Sequence, residues 1–257
     1  MKKILIKCGG SVIDELSPSF FKSLRCLEEK GYQLIFVHGG GPDINKMLEL
    51  NKIEPVFHNG LRKTTKETME IVEMVLSGQT NRKLVGLLAE NGFNPVGLNG
   101  SDGHSLQADF IDQENLGYVG EIVSVNKKTI SMLFNENYLP VMTPIGITKD
   151  STKLNINADY AAAAVASALE VDHCLFVTDV EGIMINGVMT SLLDETEVKK
   201  YIEEGEITGG MIPKVNSALS ALEKGLDSVM IVSGKSQFFD GSNWNGTKIM
   251  RKEWILQ

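Results

Sequence analysis

The chain reads as an α/β protein, a three-layer αβα sandwich around a mainly parallel central sheet. Short apolar runs alternate with helical patterns through its 257 residues, as in a parallel sheet covered by helices on both faces. The runs are continuously apolar instead of alternating, which is how strands buried on both faces appear. Glycine clusters, Gly9-Gly10 and Gly39-Gly40-Gly41, directly follow the first two runs.

The expected strands are 3–7, 33–37, 95–98, 140–143, 174–178 and 228–233. Ser17-Pro18 places an N-cap before a proline at the first helical position, and Gly31 ends that helix. Thr64-x-x-Glu67 reads as a capping box opening a long helical stretch that reaches Asn91. Asp194-x-x-Glu197 repeats the signal, and 158–170 is alanine-rich with strong helix propensity. Region 100–129 is polar and glycine-punctuated, and reads as hairpins or loops beside the main sheet. No linker cuts the chain, so the expectation is two lobes sharing one sheet, 1–170 and 171–257, with a seam near Val171.

Composition narrows the function. Hydrophobic residues make up 42% and charged residues 23%, as in an ordinary globular protein with a full core. A net charge of −8 argues against nucleic acid as the main partner, since backbone phosphates call for a basic face. No run reaches membrane-spanning length, and only Ile4-Leu5-Ile6 precede Lys7, too few for a signal peptide. Cys8, Cys26 and Cys174 show no metal or disulfide spacing, so a cytoplasmic protein with reduced thiols is expected.

The chemistry-bearing residues gather at strand ends. Lys7 closes the first strand, at the edge where open α/β sheets bind ligands. Alone it reads as a solvated lysine; with Gly9 and Gly10 behind it, it sits at an anion cradle of backbone N–H groups. Gly40 and Gly41 belong to a second such loop, and Lys214 follows Thr208-Gly209-Gly210-Met211-Ile212-Pro213. The Walker spacing is absent, so this is phosphate chemistry on another scaffold. His38 closes a buried strand and is assigned no chemistry. Arg62 lies in the loop before the long helix, where it is either solvated or a bidentate clamp for a carboxylate. In Asn155-Ile156-Asn157-Ala158-Asp159 one residue caps the alanine-rich helix, which leaves an aspartate able to hold lysines. Asp179 closes the fifth strand, either as a turn residue or beside a nucleotide.

These blocks, taken in order from residue 7 to residue 214, resemble the amino acid kinase family. Lys7-x-Gly9-Gly10-Ser11 and Thr178-Asp179-Val180-x-Gly182-Ile183 are common to much of it. Asn59-Gly60-Leu61-Arg62, Asn155-x-Asn157-Ala158-Asp159 and Gly209-Gly210-Met211-Ile212-Pro213-Lys214 point to its N-acetylglutamate branch. The resemblance implies phosphorylation by ATP of the side-chain carboxylate of N-acetyl-L-glutamate, in arginine biosynthesis. It implies that Lys7 and Lys214 stabilise the transferring phosphoryl group and that Asp159 orients both lysines. Gly9, Gly10, Gly40 and Gly41 would supply N–H groups, while Arg62 and Asn155 grip the amino acid. Asp179, Val180, Glu181, Gly182, Ile183, Met184, Glu206, Ile207 and Thr208 fall where the family contacts the nucleotide. Mg2+ would be held mainly by the ATP phosphates, with no dedicated protein site.

The resemblance further implies a homodimer. Met69, Val72, Val75 and Leu76, at helical spacing in 65–91, suit either that contact or core packing. The chain opens on its first strand, without the N-terminal extension of arginine-inhibited members, so insensitivity to arginine is expected. The competing readings are another kinase of the same fold, acting on glutamate, aminoadipate, aspartate, carbamate or UMP, and a non-catalytic nucleotide-binding protein. A dinucleotide-binding dehydrogenase is disfavoured because no G-x-G-x-x-G follows an expected strand.

Overall fold

The computed structural model describes residues 2–252. Its centre is an eight-stranded sheet: β1 (Lys3–Cys8), β2 (Gln33–His38), β3 (Pro95–Asn99), β4 (Leu139–Thr143), β5 (His173–Thr178), β6 (Leu192–Asp194), β7 (Ser228–Ser233) and β8 (Thr247–Met250). The spatial order is β6-β8-β7-β5-β1-β2-β4-β3. Every neighbouring pair is parallel except β7 with β8. All six expected strands are present, within a residue at each end.

Successive side chains of a strand point to opposite faces, and here each face is covered. Ile4 and Ile6 pack with α1 (Pro18–Glu29), whereas Leu5 between them packs on the other side with the alanine-rich helix. Both layers of helix therefore exist, and the αβα sandwich is as expected. β1 pairs with β2 on one side and β5 on the other, so residues before and after Val171 share one continuous sheet.

The local signals act through identifiable bonds. Ser17 Oγ accepts from the Phe20 N–H, and Gly31 adopts φ +82° just past α1. Asp194 and Glu197 form the expected reciprocal capping box. The capping box expected at Thr64 is absent. Thr65 is the N-cap, its hydroxyl accepting from Thr68 N–H, because the Thr64 hydroxyl is already engaged with Arg62 and Asn155.

The long helical stretch is continuous but not uniform. An α-helical segment, Lys66–Glu73, passes into a π-helical one, Met74–Thr80, and returns to α at Asn81–Glu90. Met69, Val72, Val75 and Leu76 are buried within the chain against Ile44, Leu48 and Ile145, so this stripe is core and not a dimer face. Region 100–129 supplies an antiparallel pair, Leu106–Phe110 with Val119–Val125. With Ile145–Ile147 and Lys153–Ile156 these strands close a small barrel beside the sheet.

The glycine loops after β1 and β2 lie against each other. A Cβ on Gly10 would stand 2.7 Å from Gly40 Cα, and a Cβ on Gly40 would stand 2.6 Å from Leu76 Cδ2 in the π segment. Gly41 has open space around it. Gly10→Ala should therefore destabilise the fold by about 1–3 kcal/mol through overpacking, while Gly41→Ala should stay within about 0.5 kcal/mol of the parent. Urea denaturation of both variants tests the contrast; equal stabilities would show that the loops do not need this approach.

Candidate active site

Lys7 is brought to the carboxyl edge of the sheet by β1. Its Nζ lies 2.7 Å from Asp159 Oδ1, with both side chains largely buried. Asp159 sits in the first turn of the helix Ala158–Leu169, whose N-cap is Asn157: its Oδ1 accepts from the N–H groups of Asp159 and Tyr160. Capping by Asn157 releases Asn155 and Asp159 for other work. Gly39 approaches the same helix, its position for a Cβ lying 3.7 Å from Ala158 Cβ. Two helix N-termini, those of Gly41–Leu50 and Ala158–Leu169, therefore meet the glycine loops in one anion-favouring corner.

A cleft of about 210 Å3 opens from this corner, lined by Gly39, Gly40, Gly41, Arg62, Asn155 and Asp159 among others. That is below the roughly 300–1,000 Å3 of sites for drug-sized ligands, so it suits a small acceptor. Arg62 is buried in its wall. Its Nη2 donates to Asn45 Oδ1 at 2.7 Å, and its guanidinium lies 4.6 Å from the centre of the Phe57 ring. Its Nη1 is buried without a hydrogen-bond partner, and among the described residues no carboxylate pairs with it. Burial lowers the pKa of this guanidinium from its usual value, so the site favours an incoming anion that restores its electrostatic balance.

Lys214 departs from expectation. Its Nζ lies 2.6 Å from Asp179 Oδ1, so Asp159 holds Lys7 but not both lysines. The reason lies on the lysine's own helix, Met211–Glu223, where Ser217 donates to Asp159 Oδ2 at 2.8 Å and takes up the second carboxylate oxygen. The Lys214 ammonium, first among several causes, holds the Asp179 carboxyl below the usual range. The segments expected from sequence to contact a nucleotide do converge: Glu206 accepts from Asn186 N–H at 3.3 Å, linking the stretch after β5 to the one before Lys214. Thr178 Oγ1 donates to the Val180 carbonyl, and Gly182 sits where a Cβ would meet Thr247 Oγ1 at 2.7 Å. Ile183 and Ile207 have their side chains in the core, which leaves only their main chains for a ligand. Asp179, Glu181, Met184, Glu206 and Thr208 are exposed.

Asn45, Phe57 and Ser217 were not singled out from sequence, and Thr64 was read there only as a helix cap. Each acts by supporting a residue that was singled out, and single polar or aromatic residues within helices and loops carry no pattern that marks such a role. The arrangement, an anion corner beside a small cleft with a buried, unpaired guanidinium, suits transfer between a nucleotide phosphate and a carboxylated acceptor.

A family description, that of the amino acid kinases, matches residues 2–233. The chain belongs to the amino acid kinase family. It is 49% identical to the acetylglutamate kinase of Geobacillus kaustophilus (strain HTA426), over 98% of this chain and 97% of that one. The acetylglutamate kinase of Bacillus velezensis (strain DSM 23117 / BGSC 10A6 / LMG 26770 / FZB42) is 50% identical, over 98% of each. A crystal structure from Streptococcus mutans UA159 superposes with a TM-score of 0.82 at 33% identity, covering 96% of this chain and 98% of that one. No helix of the described residues is long and apolar enough to cross a membrane.

Cys8 and His38 flank the corner without joining its chemistry. Burial pushes the Cys8 thiol up to about 12, against the opposing pull of Lys7. Burial also lowers the His38 pKa from 6.5 to about 4, and its ring meets the Gly39 carbonyl and the Asn81 amide. The native state thus binds fewer protons than the unfolded chain between these values. His38 contributes stability above pH 6.5 that is lost as pH falls towards 4, by up to about 3 kcal/mol. A histidine-selective NMR titration should find His38 neutral down to pH 5; a midpoint near 6.5 would contradict its burial.

Proposed function

We propose that this chain transfers the γ-phosphoryl group of ATP to the side-chain carboxylate of N-acetyl-L-glutamate. The products are N-acetyl-L-glutamyl 5-phosphate and ADP, the second step of arginine biosynthesis. The observation that carries the acceptor is Arg62, buried in a small cleft with Nη1 unpaired and Asn155 beside it. That pair suits the α-carboxylate and amide of a blocked amino acid, and the near-half identity to acetylglutamate kinases supports the reading.

The acceptor carboxylate, with an ordinary pKa of about 4, is already a nucleophile at neutral pH and needs no general base. One of its oxygens attacks the γ-phosphorus while the bond to the β,γ-bridging oxygen breaks and ADP leaves. A loose transition state asks for positioning and positive charge. Lys7, held by Asp159, provides charge on the acceptor side, and the N–H groups of Gly9, Gly10, Gly40 and Gly41 cradle the phosphoryl oxygens. Lys214 arrives from the other lobe to meet the charge that develops on the leaving oxygen. Mg2+ would be held mainly by the ATP phosphates and water, as that ion commonly is, and would neutralise charge there. In this reading residues 1–170 bind the amino acid and 171–257 the nucleotide, through Asp179–Gly182, the Ile183 and Ile207 main chains, Met184, Glu206 and Thr208. It also includes a cytoplasmic homodimer, for which exposed Met74 offers an apolar contact.

ADP release with MgATP should be far faster on N-acetyl-L-glutamate than on L-glutamate, since a site built around an amide leaves an ammonium poorly solvated. Equal kcat/KM on free glutamate would overturn the assignment. Lys7→Ala and Lys214→Ala should each lower kcat roughly 10²–10³-fold. Arg62→Lys should act mainly on KM for the amino acid, because a fork becomes a point charge. Unchanged kcat in either lysine variant would remove the mechanism.

A further inference from the structure

We infer that Thr64 is a positioning residue that fixes the Asn155 amide and so selects acceptors carrying an N–H on the α-carbon; the inference rests on the function proposed above. Thr64 is fully buried in the wall behind the cleft. Its Oγ1 donates to the Arg62 carbonyl at 2.8 Å and accepts from Asn155 Nδ2 at 3.0 Å. One hydroxyl thus touches both residues assigned to the amino acid.

The direction of these bonds follows from what each group can do. A carbonyl oxygen only accepts, so the single Thr64 hydroxyl proton goes to Arg62. Thr64 then has only lone pairs to offer Asn155, which must present its NH2. The planar amide consequently holds its oxygen away from Thr64, and among the described residues that oxygen receives no hydrogen bond. Asn155 lines the cleft together with Arg62. The cleft therefore carries a cationic donor at Arg62 and a neutral acceptor at Asn155, matching an α-carboxylate and an adjacent N–H.

Main-chain bonds keep this chain of groups in place. Thr64 N–H donates to the Leu116 carbonyl at 2.8 Å, and the Thr64 carbonyl accepts from Tyr118 N–H at 2.7 Å. The Tyr118 carbonyl in turn accepts from Asn155 N–H at 2.9 Å. Gly117 between them has no room for a Cβ, which would strike the Thr64 carbonyl oxygen. Both ends of the Thr64–Asn155 bond are thus anchored on one short segment. An acceptor with an ester oxygen in place of the N–H would set lone pairs against the Asn155 oxygen.

The test compares N-acetyl-L-glutamate with its ester isostere, 2-acetoxyglutarate, in the parent and in Thr64→Val and Thr64→Ser. The parent should favour the amide by about 10²-fold or more in kcat/KM, as sites built for a substrate N–H do. Thr64→Val should cut that preference about tenfold, through KM for the amide and with KM for ATP unchanged. Thr64→Ser, which keeps the hydroxyl, should restore it. An unchanged preference in Thr64→Val, or equal loss in Thr64→Ser, would overturn the inference. Should Thr64→Val fail to fold, Thr64→Ala carries the same comparison. A parent inactive on N-acetyl-L-glutamate would overturn the functional reading and this inference with it. A parent active on both acceptors without preference would overturn the inference alone.

Discussion

The site depends on one close approach, that of Gly10 to Gly40, where two main chains meet with no space for a side chain. Parallel pairing of β1 with β2 sets Cys8 opposite His38, so the loops that follow leave the sheet side by side. Glycine lets them converge on one point. The Gly39 N–H donates to the Cys8 carbonyl at 2.8 Å, and the π-helical segment seals the far side through Leu76 and Thr80. Thr80 Oγ1 also donates to Asp43 at the start of the helix that follows Gly40. Lys7, on β1, and Asp159, on the helix that packs against β1, form their pair at this corner.

Most of the sheet was legible because strands buried on both faces must be apolar throughout, and helix starts announce themselves through caps. Lys7 stood out through the glycines behind it, and Asn155 and Asp159 through a polar density beyond what a cap requires; the residues around Arg62 left it open between solvation and a clamp, and only the family resemblance chose. The failures have physical causes. Thr64 matched a capping pattern, but its hydroxyl serves Arg62 and Asn155, so the cap moved to Thr65. The stripe from Met69 to Leu76 has the spacing of any amphipathic helix, and only tertiary packing shows that it faces inward. No residue pattern marks the π-helical segment Met74–Thr80, whose Leu76 and Thr80 pack against Gly40.

The two lysines stand in different situations. Lys7 is held in the corner by a mostly buried carboxylate, whereas Lys214 pairs with the half-exposed Asp179. An exposed ion pair contributes little, typically below about 1 kcal/mol, so it yields readily to a phosphate. Ser217, on the same helix as Lys214, already reaches Asp159. The helix is thus registered against Asp159, while its lysine pairs elsewhere, with Asp179. In the proposed function, preorganisation falls to the half assigned to the amino acid and adjustment to the half assigned to the nucleotide.

The most direct test of this account is a crystal structure with ADP, Mg2+, aluminium fluoride and N-acetyl-L-glutamate bound. The account predicts the fluoride over the Gly10–Gly40 contact, with Lys7 Nζ still on Asp159 and Lys214 Nζ moved from Asp179 onto the fluoride. A fluoride bound in that corner with Lys214 still paired to Asp179 would contradict it.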